Sequence, residues 1–215
     1  MSVLTNYSDL FLKAFGTTIQ LFLFSAVGSL VLGTILAMLR VSPVPVLRAA
    51  GATYVTVLRN TPLTLVFFFF AFAYPLLKIL ELDPFKGAVV SLTVYTSAFI
   101  CEVIRSGINT VPVGQAEASR ALGLSFGQML GSVVLPQALR TVVPPLASTM
   151  IALLKNTTIA AGFSVGDAGA IMYTFSEDGV NMLVGLGWVA FIFILLVLPL
   201  TAVQRGLERR WSVAR

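Results

Sequence analysis

Three ionisable side chains stand inside apolar stretches of this chain, and they are the residues best placed to do chemistry. Arg59 is followed by Asn60 and Thr61, Lys155 is followed by Asn156, Thr157 and Thr158, and Glu102 is followed three residues on by Arg105. A cation at the bilayer centre costs about 2.5–3.5 kcal/mol, so it faces the protein interior or a wet cavity, or else snorkels to an interface. A guanidinium or ammonium in such a cavity, with amides and hydroxyls beside it, is a receptor for a carboxylate. Arg59, Asn60, Thr61, Lys155, Asn156 and Thr157 are therefore candidate substrate ligands. Structural pairing is the competing reading for each cation. Glu102 and Arg105 lie on one helix face and predict a local ion pair.

Other chemistry is excluded by absence. The sequence has no histidine, so histidine catalysis, histidine metal ligation and histidine proton relays drop out. Its one cysteine, Cys101, cannot form a disulfide within the chain and reads as a small buried side chain. The lysines follow Leu12, Leu77, Phe85 and Leu154, so no Gly-Lys pair exists for a phosphate-binding P-loop. No catalytic residue, metal site or cofactor is expected in this chain.

The elements that hold these residues follow from composition. Of 215 residues, 57% are hydrophobic and 11% charged, with a mean hydropathy of +0.94. A soluble domain carries about 25% charged residues, so a soluble enzyme and a disordered chain are both excluded. Five apolar stretches, at about 15–39, 49–80, 88–104, 141–163 and 182–203, are long enough to cross a bilayer. The second is about 48 Å as a straight helix against a core of about 30 Å; Pro62 and Pro75 are expected to break it, with its first part along the interface. Measured along helices from Arg48 and Arg140, Arg59 lies about 16 Å and Lys155 about 22 Å into the membrane.

Charge orients the spans. With the N-terminus outside, Arg40, Arg48, Arg105, Arg120, Arg140, Arg205, Arg209, Arg210 and Arg215 fall inside and Lys13, Lys78 and Lys86 outside. The fold class is an all-α integral membrane protein of about five transmembrane helices, N-out and C-in, forming one transmembrane domain over 1–215.

The longest inner segment is 107–136. Gln115 to Leu122 favours helix, Gly123 suits the C′ position, and Ser125 with Gln128 forms a capping box. Phe126, Met129, Leu130 and Val133 then share a helix face, and Pro136 marks the next boundary. Two short helices meeting at a glycine corner result; an ordinary interfacial hairpin is the plainer alternative.

Glu117-Ala118-Ser119, three residues, Gly123, nine residues, then Val133-Val134-Leu135-Pro136 resembles the EAA motif of ABC importer membrane subunits. Ser119 replaces the motif's second alanine and Val133 its isoleucine. The stretch from Glu102 to Ile108, Gly114-Gln115, Arg59 to Leu63 and Lys155 to Thr158 look like the polar amino-acid uptake branch of that family. The resemblance implies a coupling helix in which Glu117, Ala118, Ser119, Arg120 and Gly123 engage a cytoplasmic ATPase that carries the ATP and Mg. It also implies a second permease subunit, identical or homologous, an extracytoplasmic substrate-binding protein, and a multi-pass place in the bacterial cytoplasmic (inner) membrane. Two mid-membrane cations lean the substrate toward glutamate or glutamine over lysine or arginine. The rivals are an ion channel or secondary transporter without an ATPase partner, and an integral-membrane enzyme.

Overall fold

Small residues recur every fourth position in the first apolar stretch, as Ser25, Ser29, Gly33 and Ala37. That spacing puts them on one helix face, where another backbone can approach closely. A computed structural model describes residues 2–211, without the side chains of Ser2, Arg209, Arg210 and Trp211. The inner-side assignments of Arg209, Arg210 and Arg215 thus concern side chains outside the described residues.

The described residues form helices and no strand. They run α1 (Ser2–Asn6), α2 (Ser8–Val41), α3 (Pro45–Arg59), α4 (Leu63–Phe68), α5 (Pro84–Asn109), α6 (Val113–Ala121), α7 (Phe126–Met129), α8 (Leu135–Asn156), α9 (Ile171–Glu177) and α10 (Met182–Trp211). Four runs are long and apolar enough to cross a membrane: Ser8–Val41, Pro84–Asn109, Phe126–Phe163 and Met182–Glu208. A fifth candidate is the pair Pro45–Arg59 and Leu63–Leu77, bent by 105° where Asn60 to Pro62 intervene.

The helices outrun two of the apolar stretches, and one expected boundary is corrected. The first helix starts at Ser8, ahead of the stretch at about 15–39, because Phe11 and Ala14 pack against Ile171, Phe175 and Val189 and tertiary burial extends the helix outward. The run that holds the stretch at about 141–163 starts at Phe126, where Ser125 caps the expected helix. Pro136 is not a boundary: a π-helical turn over Leu130–Val134 precedes it and the helix continues into α8. A second π turn, Phe69–Ala73, precedes Pro75 in the same way. Proline lacks an N–H and its ring clashes with the carbonyl four residues back; a widened turn relieves that clash.

The stripe on α2 packs along α5. Ser25, Ser29, Gly33 and Ala37 are buried: the Ser25 hydroxyl donates to the Val89 carbonyl of α5 at 3.5 Å, Gly33 lies against Ser97 and Ile100, and Ala37 packs with Ala98 and Cys101. A Cβ on Gly33 would lie 2.7 Å from the Cβ and Cγ2 of Ile100 and 3.0 Å from the carbonyl oxygen of Ser97. Replacing Gly33 by Ala should therefore destabilise the protein by about 1–3 kcal/mol. Gly16→Ala, on the same helix but with open space around it, should be neutral or stabilising. Thermal unfolding of the two detergent-solubilised variants checks this, and equal midpoints would rule out a close α2–α5 contact.

Between the fourth and fifth runs, Asp167 fastens the outer loop. Its Oδ1 accepts from the backbone N–H of Gly169 (3.1 Å) and Ala170 (3.3 Å), and the neighbouring Ala168 N–H donates to Thr18 Oγ1 of α2 at 3.0 Å. Its other oxygen, Oδ2, is buried without a hydrogen-bond partner. Burial pushes the carboxyl up to about 6, against the lowering effect of the two N–H donors. A carboxyl raised in the folded state binds protons that the unfolded chain has already lost. Its stabilising contribution is therefore complete below the usual carboxylate range and disappears as pH rises through about 6. Asp167→Asn keeps the acceptor and cannot ionise. It should unfold at higher temperature than the parent at pH 8, by the equivalent of about 2 kcal/mol, with the gap narrowing below about pH 6 and closing only near about pH 3. A difference independent of pH would contradict this account.

Candidate functional site

The sequence places Glu102 two turns before the end of α5, and the fold brings three arginines to it. Its Oε2 accepts from Arg40 Nη1 at the end of α2, and its Oε1 accepts from Arg105 Nη2 at 2.5 Å. Arg59, the last residue of α3, has its Nη1 3.9 Å from Oε2, an ion pair beyond hydrogen-bond reach. Its guanidinium carbon stands 5.6 Å from the centroid of the Phe99 ring, a cation–π distance. Among the described residues, that guanidinium makes no hydrogen bond. Its side chain is 45% exposed, against 17% for Arg40 and 32% for Arg105. The expected Glu102–Arg105 pair is present, and Arg40 and Arg59 join it.

Helix α3 runs antiparallel beside α2 and packs on α5. Gly51 meets Arg40 and Leu39, Val55 packs with Leu36, Ala37, Ala98 and Cys101, and Tyr54 donates to the Val94 carbonyl at 2.8 Å. The Arg59 guanidinium thereby comes level with Glu102, two turns from the inner end of α5. The chain then bends by 105° where Asn60 to Pro62 intervene.

Two cavities share Arg59, Phe99 and Glu102 as a wall. One, of about 300 Å³, is completed by Val103, Ser106, Gly107, Thr110, Thr141, Pro145 and Thr149. The other, of about 390 Å³, is completed by Arg40, Val55, Thr56 and Asn60. Both fall at the low end of the 300–1,000 Å³ range of small-molecule sites. The tandem Pro144-Pro145 inside α8 supplies no N–H for the carbonyls of Arg140 and Thr141. Thr141 and Pro145 line the first cavity, and broken backbone is tolerated at membrane depth where it faces water.

The remaining candidates are distributed differently. Asn60 lines the second cavity, although its Nδ2 donates to the Thr56 carbonyl at 2.7 Å. Thr61 donates to the Val57 carbonyl at 2.8 Å, and buried Thr157 to the Leu154 carbonyl at 2.7 Å; both hydroxyls are spent on their own helices. Asn156 lines a cavity of about 320 Å³ with Tyr95, Phe99, Ser148 and Thr149, which adjoins the same phenyl wall. Lys155 faces α10, in a cavity with Thr158, Phe193, Ile194, Val197 and Leu198, and shares no cavity with Arg59. Sequence reasoning missed Arg40, Phe99, Thr110, Thr141 and Thr149. Arg40 carried a signal, since it closes an apolar run and Glu102 needed more than one counter-charge; the threonines carried none.

The inner corner forms as its residues dictate. Gly123 has φ +79°, Leu124 N–H donates to the Ser119 carbonyl at 3.1 Å, and Gly123 N–H donates to the Arg120 carbonyl at 2.9 Å, which together make a Schellman cap. Ser125 and Gln128 make both bonds of a capping box. Glu117, Ala118 and Arg120 are exposed on α6. Ser119 is not: it is 5% exposed and its hydroxyl donates to the Gln115 carbonyl at 2.7 Å, so its small size serves packing within the chain. Val113, Leu122 and Phe126 surround the corner with exposed apolar surface.

The sequence from 29 to 213 matches the family described as binding-protein-dependent transport system inner membrane component. The glutamate transport system permease protein GluC of Corynebacterium efficiens is 46% identical, over 91% of this chain and 92% of that protein. The probable glutamine ABC transporter permease protein GlnM of Bacillus subtilis is 35% identical, over 98% of this chain and 97% of that protein. A solved structure described as an amino acid ABC transporter with histidines superposes with a TM-score of 0.90 over 97% of each chain at 24% identity, a likeness of fold.

Proposed function

The chain belongs to the family of inner membrane components of binding-protein-dependent transport systems, and from that premise we propose that it is a permease subunit importing glutamate or glutamine. The 46% identity to a glutamate permease along nearly the whole chain carries this reading. The chain is a transporter component and not an enzyme; ATP hydrolysis lies on a separate subunit. It works in the bacterial inner membrane, N-terminus outside, with two ATPase subunits that hold ATP and Mg, a second permease subunit, and a binding protein that delivers the amino acid.

Two regions divide the work. The exposed Glu117, Ala118 and Arg120 with the Gly123 corner contact the ATPase. Arg59, whose donors are uncommitted, takes the α-carboxylate, with Asn60 beside it and Asn156 across the Phe99 wall. Net charge supports an acidic or uncharged side chain on the substrate: Arg40, Arg59 and Arg105 outnumber Glu102. An importer for arginine or lysine would bring a further cation to this cluster.

The corner is tested by Gly123→Val, which places a β-branched side chain at positive φ. The complex should assemble in the membrane, while substrate-stimulated ATP hydrolysis and uptake fall several-fold together. Parental coupling in this variant would remove the coupling role. The cavity is tested by Arg59→Ala in proteoliposomes with L-glutamate. Uptake should fall at least about tenfold at normal complex yield and basal ATPase activity. Loss of yield and basal activity together would instead mark Arg59 as structural.

A further inference from the structure

Arg59 is available to a ligand because something prevents Glu102 from holding it. A guanidinium 3.9 Å from a carboxylate in a partly buried site is expected to close that gap and form a hydrogen-bonded pair. It does not do so here, and the geometry around Glu102 gives the reason. Oε2 already accepts from Arg40 and Oε1 from Arg105. Each oxygen accepts one guanidinium N–H, from arginines less exposed than Arg59 and held on α2 and on α5 itself. Arg59 is left beside a carboxylate whose charge two closer guanidinium groups already share, with its carbon over Phe99 and its side chain lining two cavities.

We propose that Arg40 and Arg105 are positioning residues that outcompete Arg59 for Glu102, and thereby keep the Arg59 guanidinium free to bind the substrate carboxylate. The inference rests on the reading of Arg59 as carboxylate receptor and adds what sets its affinity. Glu102 is a competitor for Arg59, held in check by two other arginines. Removing Arg105, which lines neither cavity, then weakens substrate binding, because the carboxylate of Glu102 that it releases captures Arg59.

The test is equilibrium binding of radiolabelled L-glutamate and L-glutamine to the assembled transporter in nanodiscs, without the binding protein. Arg105→Gln should weaken both ligands by about tenfold. The loss should be equal because both amino acids present the same α-carboxylate. The double variant Arg105→Gln with Glu102→Gln removes the competitor and should restore affinity for both. A diffuse loss of positive field would make a different pattern, weakening anionic glutamate and sparing zwitterionic glutamine; that pattern overturns the proposal. So does parental affinity in Arg105→Gln, or an uncorrected loss in the double variant. Arg40→Gln vacates the other oxygen and carries the same prediction if Arg105→Gln fails to assemble. Arg59→Ala run in parallel separates the two levels. If it binds both ligands like the parent, the carboxylate-receptor reading falls. If it loses binding while Arg105→Gln and Arg40→Gln keep parental affinity, the receptor reading stands and the competition for Glu102 is wrong.

Discussion

A charge taken out of water must be paired or wetted, and the inner half of this protein is organised around one carboxylate that meets that demand for three helices. Glu102 draws in the end of α2 through Arg40, the end of α3 through Arg59 and its own helix through Arg105. The four side chains stay partly exposed, so each pair is worth less than a fully buried one, and the cluster acts by holding three helices to one point. One anion among three cations leaves positive charge unspent, and it is concentrated on the arginine that borders the cavities.

That convergence depends on close packing elsewhere. Without a hydrophobic force between helices in lipid, association relies on close contact, and Ser25, Ser29, Gly33 and Ala37 provide it along α5. The stripe brings Arg40 alongside Glu102. Helix α3 then packs against both helices, and the Tyr54 hydroxyl, bonded to the Val94 carbonyl and 3.1 Å from the Ser97 hydroxyl, fixes where it meets α5. The aromatic run that follows is divided by the same geometry. Phe67 is 1% exposed and stacks on Phe163 at 5.0 Å, whereas Phe69 and Phe72 face outward.

A single helical run connects the two working regions. From the capped corner at Ser125 it passes through α7, the π turn and α8, and reaches the cavity at Thr141, Pro145 and Thr149. The Schellman cap and the capping box make the corner stiff, while the π turn and the two internal prolines make the run irregular near the cavity. A push on the corner therefore arrives at the cavity wall through continuous backbone, with interrupted hydrogen bonding at Pro144-Pro145 beside the cavity. This is the kind of rigid-body and hinge movement by which alternating access proceeds.

Much was legible in the sequence because local physics decided it. Apolar run lengths set the number of candidate crossings, the Gly123 and Ser125–Gln128 chemistry set the corner, and the i, i+3 spacing set the Glu102–Arg105 pair. Each depends on residues within one or two turns of each other. Tertiary structure decided what depends on distant neighbours. It extended α2 to Ser8 by burying Phe11. It turned Ser119 inward, carried the helix through Pro136, and sent Lys155 toward α10 while Arg59 faced Phe99. Arg40 and Glu102 are 62 positions apart, and no periodicity relates them. The sequence by itself determined that charges stood in apolar surroundings and needed partners. Which partner each one found was settled when α2, α3 and α5 packed, because electrostatic pairing acts through space and is indifferent to distance along the chain.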